Sequence, residues 1–461
     1  MAICKLAHDL EAGSAVTPLL TSPAKYLPLC PMSGLIQIGV PSRRATLVGV
    51  GLVVVLAFVI RLGFNIVFQG LSSGPDPAVG SDHVDYDRLA RSLAQGQGYR
   101  LSPQEPLTAF RPPGTSFLLA LLYRGLGYHY AVVRVAYSLL GAATCLLLYL
   151  YARYVVGPRW ALGAALLLAL DPGHAYYSMH FFSETPWTFF VMLGLWLGER
   201  ARAEGRFSWL GLQGLSWGIA ALIRPPALII PFIQAGLFWL RNPWRTAAWA
   251  RWLLPALVTV AVVAPWTLRN AQVFGRLVLI SNHGGTTFYG ANNEVVLAQP
   301  ELAGRWIAPP LCPQYEQIRS AGDEVERDRK AKALGWAFVG SHLAEMPRLT
   351  GWKFIRLLHP WPATPNRVFN HAVAWSSGLL LPWWLAGVWR LLRRPIGPAK
   401  VPILACLIML GFTTLMTYGD HRFRLSIEPV LVLLAIQGLQ GVASKRNPLA
   451  QGPASARPTG P

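Results

Sequence analysis

Residues 45–68 read ATLVGVGLVVVLAFVIRLGFNIVF, an unbroken apolar run whose single charge is Arg61. As a helix rising 1.5 Å per residue, such a run covers roughly the 30 Å of a bilayer's hydrocarbon core. Backbone amides have no water to bind there, so they must pair within a helix. Similar runs recur at about 130–152, 160–178, 183–199, 207–223, 225–241, 252–268, 371–391, 400–418 and 424–442. The composition agrees: of 461 residues 53% are hydrophobic and only 13% charged, which excludes a disordered or fibrous chain. The reading is an all-α polytopic integral membrane protein with about ten transmembrane helices.

The formal charge of +20 would suggest nucleic acid in a soluble protein, but only seven of the 41 basic residues are lysine, and many sit in short links between apolar runs. With the N-terminus in the cytoplasm, the inner links are Arg153 to Arg159, Arg200 to Arg206, Arg241 to Arg251, Arg390 to Lys400 and the tail with Lys445 and Arg446. All are basic, as the positive-inside rule requires, so the charge marks topology and no nucleic-acid partner is expected. The expected organisation is a cytoplasmic tail over 1–42, a transmembrane module over 43–268 with an outer loop at 69–129, an outer cap over 269–370, C-terminal helices over 371–442 and a disordered cytoplasmic tail over 443–461. Met32, ahead of Arg43-Arg44, is an alternative start of translation. The five cysteines, Cys4, Cys30, Cys145, Cys312 and Cys406, show no CxxC spacing, so neither a metal knuckle nor a disulfide framework is encoded.

The two outer segments carry the polar residues. Phe117 to Tyr123 is apolar but too short to span and suits an interfacial helix, and Asp323 to Arg348 has the composition of a helix in a small cap. Arginine on the outer side opposes the topology bias, so its positions are informative. They are Arg111 in Arg-Pro-Pro-Gly, Arg224 in Ile-Arg-Pro-Pro, Arg269 at the end of the seventh run, and Arg422 and Arg424 in Asp-His-Arg-Phe-Arg. Acidic residues gather on the same face: Asp82, Asp85 and Asp87 in Ser-Asp-His-Val-Asp-Tyr-Asp, and Asp171 and Glu184 around a turn. Arginine grips phosphate with paired donors, whereas an isolated carboxylate suits proton abstraction or a divalent cation. A phosphate carried by a membrane lipid fits this combination.

Each residue also has a structural reading. Asp82 suits a helix N-cap, His83 a solvated loop, and Glu184 a local pair with His180 four residues earlier. Arg61 and Arg134 suit snorkelling, Trp187, Trp266, Trp383 and Trp384 suit interfacial anchors, and every outer arginine could pair with Asp171, Glu184, Asp420 or Glu428.

The motifs occur in a telling order: Asp82-x-x-x-Tyr86-x-x-Leu-Ala90, Gly96-Gln-Gly98-Tyr99, Phe110-Arg-Pro-Pro-Gly114, Ser183-Glu184-Thr, Ile223-Arg224-Pro, Ala264-Pro-Trp-Thr-Leu-Arg269-Asn, Ser281-Asn-His283-Gly-Gly285 to Asn292-Asn293, and His421-Arg422-Phe-Arg424. Over residues 45–442 this resembles the GT-C superfamily of polyprenyl-phosphate-sugar-dependent glycosyltransferases, in the branch of the protein O-mannosyltransferases and aminoarabinose lipid A transferases. The resemblance implies a GT-C fold in the bacterial cytoplasmic (inner) membrane, with its site on the extracytoplasmic face. It implies Asp82 as the acidic residue at the reaction centre and Glu184 as the second acidic position. Arg111, Arg224, Arg269, Arg422 and Arg424 then bind the lipid-linked phosphate, and Tyr86, His283 and His421 orient acceptor or donor. This chain has Glu184 where relatives often carry Asp and lacks the Asp-Glu pair some carry at the first position, which leaves a divalent cation between Asp82 and Glu184 as the only cofactor to weigh.

A sugar joined to a lipid phosphate leaves without needing a proton, so the base is required only by the acceptor hydroxyl, on a protein, glycolipid or polysaccharide; attack from the opposite face inverts the anomeric carbon. Two other readings share parts of the pattern: an outer-face polysaccharide polymerase or ligase using a lipid-pyrophosphate donor, and a lipid or solute transporter. The transporter predicts internal repeats and charges near the bilayer midplane, neither of which the sequence displays.

Overall fold

The computed structural model describes residues 42–241, 243–244, 251–362, 367–393, 395 and 397–446. The tails expected at 1–42 and 443–461, Met32 included, lie almost wholly outside these residues. From Arg43 onward the described chain is helical, with no strand among the described residues. Helix α1 (Arg43–Phe64) runs into a π-turn over Asn65–Gln69, and the first long connection holds α2 (Asp82–Ala94) and α3 (Pro113–Leu126). Then come α4 (Tyr130–Val156), α5 (Pro158–Leu170), the short α6 (Pro172–Tyr177), α7 (Glu184–Glu204), α8 (Phe207–Ile223), α9 (Ile230–Arg241) and α10 (Leu253–Phe274). The second long connection carries α11 (Gly284–Gly290), α12 (Glu294–Ala298), α13 (Tyr315–Arg319), α14 (Glu324–Ser341) and α15 (Met346–Leu358). The described chain closes with α16 (Arg367–Arg393), α17 (Val401–Met416), the short α18 (His421–Ser426) and α19 (Glu428–Arg446).

Each expected span coincides with a helix, yet among the described residues only four helical stretches are both long and apolar enough to cross a membrane alone: Arg44–Gln69, Tyr130–Val156, Leu253–Phe274 and Pro398–Met416. Proline explains the shortfall in two others. The run expected at 160–178 stops at Leu170, because Pro172 lacks the N–H to continue it; Asp171 then caps α6 by accepting from His174 N at 2.8 Å. Pro225 and Pro226 likewise turn the first five residues of the run at 225–241 into a 3₁₀ turn before α9. The cap helix expected over Asp323–Arg348 is two helices, broken at His342 ahead of Pro347.

Several residues expected at the membrane surface lie inside the protein. Arg61 is fully buried and donates to the carbonyls of Ala57, Leu168 and Ala169 at 3.0–3.3 Å, and buried Arg134 binds Asn65 Oδ1 at 3.2 Å and the Ser73 carbonyl at 2.6 Å. Backbone carbonyls inside α1, at the end of α5 and in the turn at Ser73, with the Asn65 amide, are the partners these guanidiniums find, so they do not snorkel. His83 is also buried, stacked on Phe182 with ring centres 4.7 Å apart and bonded to the Asp76 carbonyl at 2.7 Å. Trp187, Trp266 and Trp384 are buried too, Trp266 donating to the Ile280 carbonyl at 2.7 Å.

In lipid, packing has no water-driven term between helices, so close approach through small residues carries more weight. At the α16–α19 crossing a Cβ on Gly387 would lie 2.0 Å from the Leu434 carbonyl oxygen, and one on Gly438 2.2 Å from that of Trp383. The two long connections are joined by Glu324, whose carboxylate accepts from Thr108 Oγ1 at 2.6 Å and Ala109 N at 2.7 Å. The segment before α18 is pinned under this cap: Gly419 N donates to the Gly304 carbonyl at 2.9 Å, and a Cβ on Gly419 would stand 1.8 Å from the Lys353 carbonyl oxygen.

Gly387→Leu should therefore destabilise the protein by about 3 kcal/mol, the upper range of overpacking. Gly411→Ala, where an added Cβ meets nothing within 4 Å, should be neutral or slightly stabilising. Thermal unfolding in detergent compares them, and equal melting temperatures would remove the crossing as a determinant of stability.

Candidate functional site

A cavity of about 860 Å³ opens where the two long connections meet the ends of α8, α9, α17 and α18. Its charged floor is assembled from residues far apart in sequence. Asp82 opens α2 and does not act as the N-cap; its Oδ1 lies 3.0 Å from Arg111 Nη2 and its Oδ2 3.1 Å from Arg422 Nη2. Arg111 also binds Asp85 at 2.8 Å, and Arg422 Nε donates to Glu184 Oε1 at 2.7 Å. Arg224 completes the chain, its Nη1 3.0 Å from Glu184 Oε1 and 3.2 Å from Ser426 Oγ. The result is a line of alternating charge: Asp85, Arg111, Asp82, Arg422, Glu184, Arg224.

Local sequence explains the positions. Asp420 caps α18 by accepting from Arg422 N at 2.7 Å, which aims the Arg422 side chain back across the floor, over the Phe182 ring at 4.8 Å. Pro112 precedes and Pro113 opens α3, leaving Arg111 just outside the helix, while Arg224, in extended backbone, stands between α8 and Pro225. Glu184 opens α7 with its side chain 2% exposed, and it binds two arginines in place of the expected His180.

Burial raises the Asp82 carboxyl's pKa, but Arg422 and then Arg111 outweigh it and hold the group well below the usual carboxylate range. It is therefore ionised at neutral pH and still partly open to the cavity, its side chain 28% exposed. His283 lines the same wall edge-on to Phe110, 4.6 Å between ring centres; burial and Arg111 push it down to about 4, so the imidazole is neutral. Burial, reinforced by Arg424, also keeps His421 neutral. Tyr86 and His421 line the cavity as well.

Two expected phosphate ligands lie elsewhere. Arg269 donates to the Thr108 carbonyl at 2.8 Å and stacks over Trp266 at 4.7 Å. Arg424 is buried against the carbonyls of Leu358 and His359 at 3.1 and 3.3 Å, with Glu428 3.5 Å away. Neither lines the cavity; both tie the connections to the bundle.

The donor set does not suit a divalent cation. Asp82 and Glu184 each hold two guanidiniums, and no group of three His, Cys, Asp or Glu residues gathers at one point among the described residues. Arginine supplies the positive charge in this floor.

Sequence reasoning missed the opposite wall, formed by Arg305, Trp306, Lys332, Trp336 and Arg356 from the cap. The i, i+4 spacing of Lys332 and Trp336 on one helix was the available signal. A third zone, from Pro225, Pro226 and Ile229 to Phe412 and Met416, is apolar, with Phe412 50% exposed.

The dolichyl-phosphate-mannose-protein mannosyltransferase family matches residues 110–268, a stretch that includes Arg111, Glu184 and Arg224. No curated protein matches the chain. Among solved structures it is similar to the apo oligosaccharyltransferase of Archaeoglobus fulgidus, with a TM-score of 0.54 and 17% identity over 90% of this chain and 53% of that one. The same archaeon's AglB in complex with an inhibitory peptide and a dolichol-phosphate aligns at 0.53 and 16%, over 89% and 52%. ArnT from Cupriavidus metallidurans bound to undecaprenyl phosphate aligns at 0.40 and 16%, over 91% and 82%. The chain thus spans about half the length of the oligosaccharyltransferases it matches. A stretch from the loop before α3 into α10 thus matches the mannosyltransferase family, and this membrane-embedded chain shares the fold of the archaeal oligosaccharyltransferase over nine-tenths of its length.

Proposed function

We propose that the protein is a membrane glycosyltransferase that moves a sugar from a polyprenyl-phosphate-linked donor to an acceptor hydroxyl, with inversion, on the outer face of a bacterial cytoplasmic membrane. The observation that carries this reading is one cavity combining an ionised carboxylate, guanidiniums and an apolar wall. The wall from Ile229 to Phe412 and Met416 suits an isoprenoid chain. Above it, Arg224 and Arg422 suit the phosphate that chain would carry.

In the displacement, the acceptor oxygen attacks the anomeric carbon as the bond from that carbon to the phosphate oxygen breaks. The electron pair leaves with the lipid phosphate, whose growing charge Arg224 and Arg422 stabilise. The acceptor's proton passes to Asp82, the carboxylate that faces the cavity. A phosphate drawing Arg422 toward itself loosens that residue's hold on Asp82, so donor binding makes the base stronger. Glu184 keeps Arg422 and Arg224 in place from behind.

Asp82→Asn preserves shape and should reduce transfer at least about a hundredfold, the scale of lost acid–base catalysis, while leaving binding of polyprenyl phosphate near wild type. Full transfer by this variant removes Asp82 from the chemistry. The pH dependence has a definite sign. Because the Asp82 pKa is lowered, its base form persists throughout the range above about 4, and kcat/KM should fall only at still lower pH. Arg422→Gln removes the foremost lowering influence, so the acidic limb should move to higher pH and lipid-phosphate binding should weaken by about 1.5–3 kcal/mol. An unmoved limb together with unchanged binding would count against Arg422. Orientation is tested at Leu311, 67% exposed beside buried Cys312: Leu311→Cys should react with an impermeant thiol reagent in intact cells, and labelling only after lysis would invert the topology.

A further inference from the structure

A second cavity, of about 470 Å³, lies between the last turns of α2 and α3 and is lined by Arg91, Ala94, Gln95, Tyr123, Arg124 and Tyr128. None of these residues lines the larger cavity. Its inner wall is built around Asp87, whose side chain is 2% exposed and pairs with Arg91 one turn later on α2. Asp87 also accepts from Tyr123 Oη at 2.6 Å, Tyr130 Oη at 3.3 Å and Tyr128 Oη at 3.4 Å, so one carboxylate ties α2 to the end of α3 and the start of α4. The Arg91 guanidinium lies over the Tyr128 ring, 4.5 Å from its centre, which holds it at the cavity edge with 42% of its side chain exposed.

Positive charge is left over here. Arg88, Arg91 and Gln95 share one face of α2 at i, i+3 and i+7 spacing, and Arg124 joins Arg91 in the cavity wall from α3. Against these guanidiniums stand the Asp87 carboxylate and the carbonyl ends of α2 and α3, each end worth roughly half a negative charge, so about one positive charge remains. Arg88 and Arg124 are exposed and form no ion pair among the described residues. One unmatched charge spread over guanidiniums, with a tyrosine hydroxyl and the Gln95 amide beside them, fits one phosphodiester.

The surroundings identify what carries that phosphate. Tyr128 stands two residues before α4, a helix long and apolar enough to cross a membrane, so the cavity opens level with the end of a span, where lipid headgroups lie. On α3, Phe117 and Leu121 precede Arg124 by seven and three residues, one helical stripe, and are 36% and 69% exposed. This apolar track leading up to a guanidinium suits an acyl chain, and a soluble phosphate would leave it bare.

We propose that this cavity binds the phosphodiester of an anionic glycerophospholipid, with an acyl chain along Leu121 and Phe117. Asp82 opens the helix whose last turn the lipid holds, so a bound lipid fastens the far end of the element that delivers Asp82 to the charged floor. The binding itself does not depend on the transferase reading.

The test uses the full-length protein in detergent, with polyprenyl phosphate added to occupy the larger cavity and dihexanoyl phosphatidylglycerol as probe. Glycerophosphoglycerol supplies the same headgroup without chains, and dihexanoyl phosphatidylcholine the same chains without net charge. Phosphatidylglycerol should bind about tenfold more tightly than either. Arg124→Gln should weaken it about tenfold and Leu121→Ser about threefold, whereas Lys330→Gln, which removes an exposed charge from the cap, should leave it unchanged. Phosphatidylglycerol should also raise the melting temperature of the wild type and not that of Arg124→Gln, while the two melt alike without lipid, which separates a lost site from a damaged fold. Equal binding of glycerophosphoglycerol would make the ligand a soluble phosphodiester and overturn the lipid proposal. Equal binding of phosphatidylcholine, or indifference to Arg124→Gln, removes the site altogether. Full transfer by Asp82→Asn beside lipid binding lost in Arg124→Gln would refute the catalytic reading alone and leave this site standing.

Discussion

Six charges in one line, Asp85, Arg111, Asp82, Arg422, Glu184 and Arg224, hold together elements that the chain delivers separately. Removing a charge from water costs several kcal/mol, and only a partner of opposite sign in good geometry offsets it. The start of α2, the loop before α3, the start of α7, the turn after α8 and the short α18 must therefore converge, or each would leave an ion without a partner of opposite sign. Alternation matters as much as pairing. Each interior member touches two opposite charges, so no position can be neutralised alone without uncovering its neighbours.

The surrounding bundle makes that convergence possible without relying on apolar burial between helices, since lipid competes for the same surfaces. Glycines at the α16–α19 crossing bring backbones close, and carbonyls at helix ends and in a connecting turn receive the buried guanidiniums of Arg61, Arg134 and Arg424. Arginine thus serves two purposes in this chain. Where it meets carbonyls it fastens helices, and where it meets carboxylates beside a cavity it supplies the site.

That division also sets what could be read from the sequence. Apolar runs, prolines and the one-sided gathering of charge identified the helices, the two long connections and Asp82, Arg111, Glu184, Arg224 and Arg422 as members of one region. Which arginine meets which partner depends on contacts spanning 26 to 340 residues of chain, so Arg269 and Arg424 look in sequence like Arg224 and Arg422, yet bind carbonyls away from the cavity. Span lengths were overestimated where hydropathy continued through Pro172 and Pro225, because hydropathy does not register the missing amide. Lys332 and Trp336 fall in the stretch legible only as a cap helix, since nothing in α14 alone reveals that a cavity lies beside it.

The pinning of Gly419 between Gly304 and the backbone of Lys353 has a consequence for how such proteins diversify. Arg422 follows three residues later, so the cap and the charged floor of the cavity share a mechanical joint, and neither can be exchanged as an independent module. New specificity can arise by changing side chains on the cap wall while its backbone stays in register. A transplanted cap from a distant relative must bring a matching 417–424 segment with it, and a chimera that keeps only one half of the joint would misplace the guanidinium on which Asp82 and Glu184 both depend.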